Sequence, residues 1–146
     1  MKIFTIGFTK KSAQTFFELL RQNGVQRLVD IRLKPSGQLS GFAKQDDLPY
    51  FLDHLAVHCS YVHLPELAPS DEILHAYREN KDWPHYTAQF ETLMDQRDIP
   101  ARLERASFES QTSCLLCSED TPEHCHRRLV AERLAAHWPD VEIVHL

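Results

Sequence analysis

Short apolar runs alternate with segments of helical periodicity along this chain, and that alternation restricts the fold more than any other feature. The apolar runs predict five strands, near residues 4–6, 27–31, 60–64, 112–117 and 141–145. Strands separated by helices pair in parallel, since parallel neighbours need a crossover connection. The sequence therefore predicts an α/β fold: a single compact domain with a mostly parallel sheet, helices on both faces and a helical insertion before the fourth strand.

Capping residues and apolar spacing predict where the helices lie. Ser12 precedes a helix that Asn23-Gly24 ends, and residues 48–55 carry the i, i+3, i+4, i+7 spacing of an amphipathic helix. Thr121-Pro122 predicts the N-cap and the first residue of the last helix, which runs to Trp138.

The helical insertion is predicted to contain three helices. The first is capped by Ser70 and the third by Asp98. The second carries large apolar side chains at helical spacing that are predicted to lie in the core, or to form a dimer contact if exposed: Trp83, Tyr86, Phe90 and Met94. Residues 32–46 form the longest irregular stretch, and loops of that length are often functional.

Length and composition predict one domain spanning residues 1–146. The formal net charge of −5 argues against binding nucleic acid by general phosphate neutralisation, although it leaves room for a local basic patch. No stretch approaches the length of a membrane helix or reads as a secretory signal. Four unevenly spaced cysteines do not suggest a disulfide framework. A cytoplasmic protein with no membrane partner is expected.

The residues that follow the first four strands predict a shared site. Ligand crevices in parallel sheets lie beyond the carboxyl ends of the strands, so these residues are expected to meet at one rim. The strands end in Gly7-Phe8-Thr9, Asp30-Ile31-Arg32, His63-Leu64-Pro65-Glu66 and Cys117-Ser118-Glu119.

The densest group of reactive side chains lies between Cys114 and Arg128. Cys125 is the best candidate for a reactive thiol, because a helix N-terminus and neighbouring imidazoles favour thiolate. Cys59 is instead expected to pack as a small apolar side chain, as is Cys114. The catalytic candidates are Asp30, His63, Cys117, Glu119 and Cys125. The ligand-binding candidates are Gly7, Thr9, Arg32, Phe42, His126 and Arg127.

A zinc site built from Cys114, Cys117, Cys125 and His126 is not favoured. Two residues three apart on a strand point to opposite faces, so Cys114 and Cys117 are expected to diverge. We predict no metal and no cofactor, and keep a zinc-binding protein as an alternative. The glycine-rich nucleotide fingerprints and the cysteine-phosphatase loop are both absent from the sequence.

Five stretches carry a family resemblance: Thr5–Thr9 (T-I-G-F-T), Leu28–Arg32 (L-V-D-I-R), Gly41-Phe42, Tyr61–Leu67 (Y-V-H-L-P-E-L) and Leu115–Leu129, with its L-L-C-S-E and H-C-H-R-R-L. Taken together and in order, they resemble the family called domain of unknown function 488, over nearly the full length of the chain. The resemblance implies a compact α/β domain with a site shared across the family. Many relatives carry His where this chain has Phe8.

The leading functional expectation is a rim site that binds a small anionic ligand bearing phosphate or carboxylate, such as a nucleotide or a nucleic-acid fragment. Thiols and acid–base groups at one rim fit a hydrolase or a transferase. One alternative is a non-catalytic nucleotide- or nucleic-acid-binding regulatory module, and the other is the zinc-binding protein. The sequence leaves an oligomer open.

Overall fold

A five-stranded, fully parallel sheet organises the computed structural model, which describes residues 1–56 and 58–146. The strands are β1 (Lys2–Gly7), β2 (Arg27–Asp30), β3 (Ser60–His63), β4 (Ser113–Cys117) and β5 (Glu142–His145). Their order across the sheet is β3-β2-β4-β1-β5. The predicted α/β class with a mostly parallel sheet is confirmed.

Six α-helices connect the strands within the described residues. They are α1 (Ala13–Gln22), α2 (Leu48–Leu55), α3 (Asp71–Asn80), α4 (Trp83–Gln96), α5 (Arg105–Ser110) and α6 (His126–His137). Helices α3 to α5 form the predicted insertion before the fourth strand, which is confirmed. Among the described residues, no helix is long and apolar enough to span a bilayer.

Helix α1 shows how local sequence sets an element. The Ser12 hydroxyl accepts a hydrogen bond from the Thr15 amide at 3.1 Å, as an N-cap does. The helix buries Phe16 and Leu20 against the sheet, as helical spacing requires. It ends before Gly24, whose φ of +63° is the left-handed conformation that glycine adopts without steric cost.

Two apolar clusters cover the two faces of the sheet, which confirms helices on both sides. Side chains alternate along β4, so Cys114 and Leu116 pack against the α1 and α2 face. Leu115 and Cys117 pack against the opposite face, with α4 and α6. The predicted divergence of Cys114 and Cys117 is therefore confirmed.

Strand β4 lies where the chain changes direction across the sheet. Both of its neighbours, β1 and β2, lead into helices on one face, whereas β4 leads into α6 on the other face. Loops that leave adjacent parallel strands toward opposite faces open a crevice at the strand ends. The fold therefore places a crevice beyond Cys117.

Two predicted helix starts are wrong. Residues 97–102 form turns instead of a helix capped by Asp98, because Asp98 has a φ of +56° and Pro100 cannot donate a backbone hydrogen bond. The last helix begins at His126, with Cys125 as its N-cap, instead of at Thr121-Pro122. The carbonyls of the segment before it accept hydrogen bonds from the Arg127 side chain, so a tertiary contact overrides the local capping signal.

Gly7 ends β1 where the loop after β4 passes directly over it. A Cβ built on Gly7 would overlap the carbonyl oxygen of Glu119 and approach Arg127 Nη1 to 2.8 Å. Gly37, by contrast, has open space around it and a φ of −67°. Of these two positions, only Gly7 requires the absence of a side chain.

We predict opposite effects of alanine at these two glycines. The added methyl group of Gly7→Ala would push the loop after β4 away from β1. This variant should therefore lower the free energy of unfolding by about 1–3 kcal/mol. Gly37→Ala should leave stability unchanged or raise it by up to about 1 kcal/mol, because its backbone already suits alanine. Urea unfolding of both variants measures the difference, and equal stabilities would contradict the close approach at Gly7.

Candidate functional site

A cleft of about 390 Å³ opens beyond the carboxyl ends of β2 and β4. The side chains that line it come from the ends of these strands, from the start of α6 and from the helical insertion. Five of the predicted site residues line it: Arg32, Cys117, Glu119, Cys125 and His126. The volume is in the range typical of small-molecule sites, which is about 300–1,000 Å³.

Two thiols and an imidazole form one wall of the cleft, the inner wall. The two Sγ atoms of Cys117 and Cys125 and a ring nitrogen of His126 lie within 4.8 Å of one another, and all three residues are buried. His126 Nε2 lies 2.7 Å from the carbonyl oxygen of Ile31. A carbonyl only accepts hydrogen bonds, so Nε2 carries the proton in the neutral ring. Nδ1 therefore presents its lone pair 3.4 Å from Cys117 Sγ.

The two thiols differ in acidity. Burial raises the pKa of Cys117, but a hydrogen bond from the Cys125 thiol, the Ser118 amide and the charge of Arg127 outweigh it and bring the pKa below its usual value. Burial and the neighbouring Cys117 raise the pKa of Cys125. Cys117 is therefore the sulfur of the pair that carries negative charge more readily.

Arg32 is held in place by a buried ion pair. Its Nε and Nη2 donate to the two carboxylate oxygens of Asp30 at 2.9 and 2.7 Å, and Nη2 also donates to Ala43 O at 2.7 Å. The Tyr61 hydroxyl donates to the same carboxylate at 2.6 Å. Arg32 Nη1 is buried and has no hydrogen-bond partner among the described residues.

The outer wall of the cleft carries further positive charge. Arg78 and Lys81 line it from the end of α3 and are exposed. Lys34 also lines it, but its ammonium is paired with Asp71 at 3.0 Å. Although the chain as a whole is acidic, the cleft therefore has a local excess of positive charge.

Aromatic side chains share this wall with the cations. Tyr77 and His124 line the cleft, and Tyr86 lies deeper in it. Tyr77 packs 5.0 Å from Tyr86, and Trp83 packs 5.1 Å from His124, measured between ring centroids. The rings of Tyr77 and His124 therefore offer flat, polarisable surfaces within the cleft.

Arg127 is fully buried and lies outside the cleft lining. Its guanidinium donates to the carbonyl oxygens of Glu119 and Asp120, and its Nε donates to the Thr5 hydroxyl at 3.3 Å. These contacts hold the loop after β4 against β1. The anion-binding role that the sequence assigned to Arg127 finds no support in this position, because its nitrogens face two backbone carbonyls and a hydroxyl.

The other predicted site residues lie around the cleft instead of in it. His63 Nε2 donates to the Arg32 carbonyl at 2.7 Å, and the Thr9 hydroxyl donates to Ser118 O. Phe42 packs among Phe8, Phe16 and Phe17. With Asp30 and Gly7, these residues support the loops that carry the cleft side chains.

The sequence did not identify the contribution of the helical insertion. Tyr77, Arg78 and Lys81 lie more than thirty residues from the nearest cysteine of the cleft, and only the tertiary fold brings them to it. The predicted core positions Tyr86, Phe90 and Met94 are buried. The pair of cations at the end of α3, Arg78 and Lys81, was the one sequence signal that could have indicated this contribution.

Removal of the Arg127 side chain should be strongly destabilising. Arg127→Ala leaves the oxygens of Glu119, Asp120 and Thr5 without their charged donor and opens a cavity, so the free energy of unfolding should fall by about 3 kcal/mol. Arg21→Ala, at an exposed position, should change it by less than about 0.5 kcal/mol. Urea unfolding tests this, and a loss below about 1 kcal/mol for Arg127→Ala would contradict the assigned role.

Comparison with known proteins gives a family assignment without a function. The family model described as domain of unknown function DUF488 matches residues 12–134. That range contains β2 to β4 and every residue that lines the cleft. No curated protein matches the chain, and no solved structure matches it. The extent of the family match shows that the chain belongs to the domain of unknown function 488 family.

Proposed function

We propose that the cleft binds a small anion bearing phosphate or carboxylate, and that the side chains of its inner wall act on that ligand as a hydrolase or a transferase does. The observation that carries the proposal is the unpaired Nη1 of Arg32, a buried cationic donor in a side chain that lines the cleft. Its two N–H groups need acceptors, and an anionic oxygen is the acceptor that best matches a guanidinium.

The surroundings of Arg32 favour this role. Asp30 and Tyr61 fix the guanidinium by its Nε and Nη2 side, so the charged group is already oriented before a ligand binds. A preorganised charge binds without the entropy cost of ordering a mobile side chain. His63 adds support through the Arg32 carbonyl. Asp30 and His63 are therefore proposed as positioning residues for Arg32.

The charge of the outer wall supports an anionic ligand. Arg78 and Lys81 add two exposed cations at the cleft, where they attract an anion from solution. Glu119 is an exposed carboxylate of the lining and, unlike Asp71, carries no salt bridge among the described residues. We assign it the acid–base role, because a solvent-accessible carboxylate beside the ligand can exchange protons with it.

A nucleotide is the ligand class that uses the whole cleft. Arg32, Arg78 and Lys81 supply donors for phosphate, and Tyr77 and His124 supply ring faces on which a base can stack. The lining combines apolar surface with a few directed polar groups, as in other small-molecule sites. Inorganic phosphate is the minimal probe for the charged half of this ligand.

Loss of the exposed cations should weaken anion binding. A ligand at a hundredfold excess over its Kd stabilises the folded protein by about 2.7 kcal/mol, which a thermal-shift assay detects. For the double variant Arg78→Gln and Lys81→Gln we expect the Kd for phosphate and for nucleoside monophosphates to rise about tenfold, since two partly screened ion pairs are lost.

A matched control separates the cleft from net charge. The double variant Lys2→Gln and Arg21→Gln removes the same two positive charges at exposed positions outside the cleft, and it should bind as the wild type does. Equal losses of anion affinity in both double variants would show that binding depends only on the overall charge of the protein. No stabilisation of the wild type by any of these anions would overturn the proposal.

Glu119→Gln distinguishes an enzyme from a binding module. Removal of a general acid or base reduces turnover by about 10²–10⁴-fold, whereas an exposed neutral isostere leaves ligand binding close to that of the wild type. We expect this pattern when hydrolysis or group transfer is assayed on the anion that stabilises the protein best. Bound ligand with no turnover in the wild type would instead identify the non-catalytic module.

A further inference from the structure

We infer that Cys117, Cys125 and His126 bind a zinc-class transition-metal ion, with one coordination position open to the cleft. The inference rests on the proposed function, because an oxygen of the bound anion is assigned to that open position. The metal ion would be the part of the inner wall that contacts the ligand.

The geometry of the three side chains fits a metal. Zinc bonds of about 2.3 Å to sulfur and about 2.0 Å to nitrogen place tetrahedral ligand atoms roughly 3.5–3.8 Å apart. Cys117 Sγ and His126 Nδ1 are already 3.4 Å apart, and all three ligand atoms lie within 4.8 Å of one another. A decrease of about 1 Å in the longer of these distances would complete the site, and a change of cysteine rotamer can supply it.

His126 is oriented as metal-binding histidines are. The hydrogen bond from Nε2 to the Ile31 carbonyl fixes the ring and leaves Nδ1 unprotonated on the side of the sulfurs. Ligating histidines commonly donate their other N–H to a carbonyl or a carboxylate in this way. The same bond joins the cluster to the end of β2, next to Arg32, so metal and guanidinium would face one ligand.

The ligand set selects the metal and leaves one position free. Two thiolates and one imidazole suit zinc and cobalt, and two thiolates neutralise a divalent ion. Cys59 and Cys114 pack on the opposite face of the sheet and cannot supply a fourth ligand. Three protein ligands at a cleft wall match catalytic zinc sites, whereas structural sites have four. Cys114 diverges from Cys117, but Cys125 and His126 lie beside Cys117.

Cobalt binding to the full chain tests the site. After removal of any bound metal, Co²⁺ titration should saturate at one ion per chain, with a thiolate-to-cobalt charge-transfer band in the near ultraviolet. Phosphate should then change the visible spectrum of the cobalt protein, because it enters the coordination sphere. Cys117→Ser and Cys125→Ser should each weaken cobalt binding at least about 100-fold, beyond the 10–100-fold cost of losing an outer hydrogen bond.

Cys59→Ser is the matched control. Cys59 is also buried but lies on the other face of the sheet, so this variant should retain the band and the affinity. An absent charge-transfer band in the wild type would overturn the inference, as would a band of undiminished intensity together with wild-type cobalt affinity in both Cys117→Ser and Cys125→Ser.

A second measurement uses only the wild type, in case the serine variants fail to fold. X-ray absorption of the cobalt protein should show two sulfur ligands, and a shell with oxygen and nitrogen alone would overturn the site. Phosphate binding to the metal-free protein, followed by thermal shift, separates the two proposals. Phosphate binding without cobalt binding overturns the metal alone, and cobalt binding without any response to phosphate overturns the anion site.

Discussion

The buried guanidinium of Arg127 holds the loop after β4 in the position on which the candidate site depends. It donates to two carbonyl oxygens of that loop and to Thr5 of β1, and Gly7 provides the space for the loop to pass. The loop then turns into α6 at Cys125, which brings Cys125 and His126 to the end of β4 beside Cys117. One saturated buried cation thus fixes the inner wall of the cleft.

The two buried arginines differ in how completely their hydrogen-bond donors are paired. Each nitrogen of the Arg127 guanidinium donates to an oxygen of the protein, and the side chain lies outside the cleft lining, so its role is structural. Arg32 is anchored on one side by Asp30 but keeps Nη1 unpaired and lines the cleft. Burial of an unpaired charged donor costs free energy in the empty site, and a ligand that accepts from it regains that energy.

Apolar periodicity predicted the sheet class and both helical layers, because these follow from local pattern. The residues at the strand ends predicted the cluster beyond the strands, because parallel topology brings those ends together. The cluster consists of Arg32, Cys117, Glu119, Cys125 and His126. The start of α6 was mispredicted, because a tertiary contact from Arg127 outweighed the capping signal of Thr121-Pro122. The role of Arg127 and the cations of α3 depend on which atoms meet across the fold, and sequence spacing does not contain that information.

Binding of a small anion in the cleft at Arg32, as proposed above, should be visible in the amide chemical shifts of ¹⁵N-labelled protein. During titration with inorganic phosphate, we expect saturable shifts at Arg32, Ser118 and Glu119, which surround the inner wall. Amides near the exposed Lys2 and Arg21, outside the cleft, should stay in place. Shifts confined to such exposed positions, or no saturable shift at the cleft, would show that the anion does not bind at Arg32.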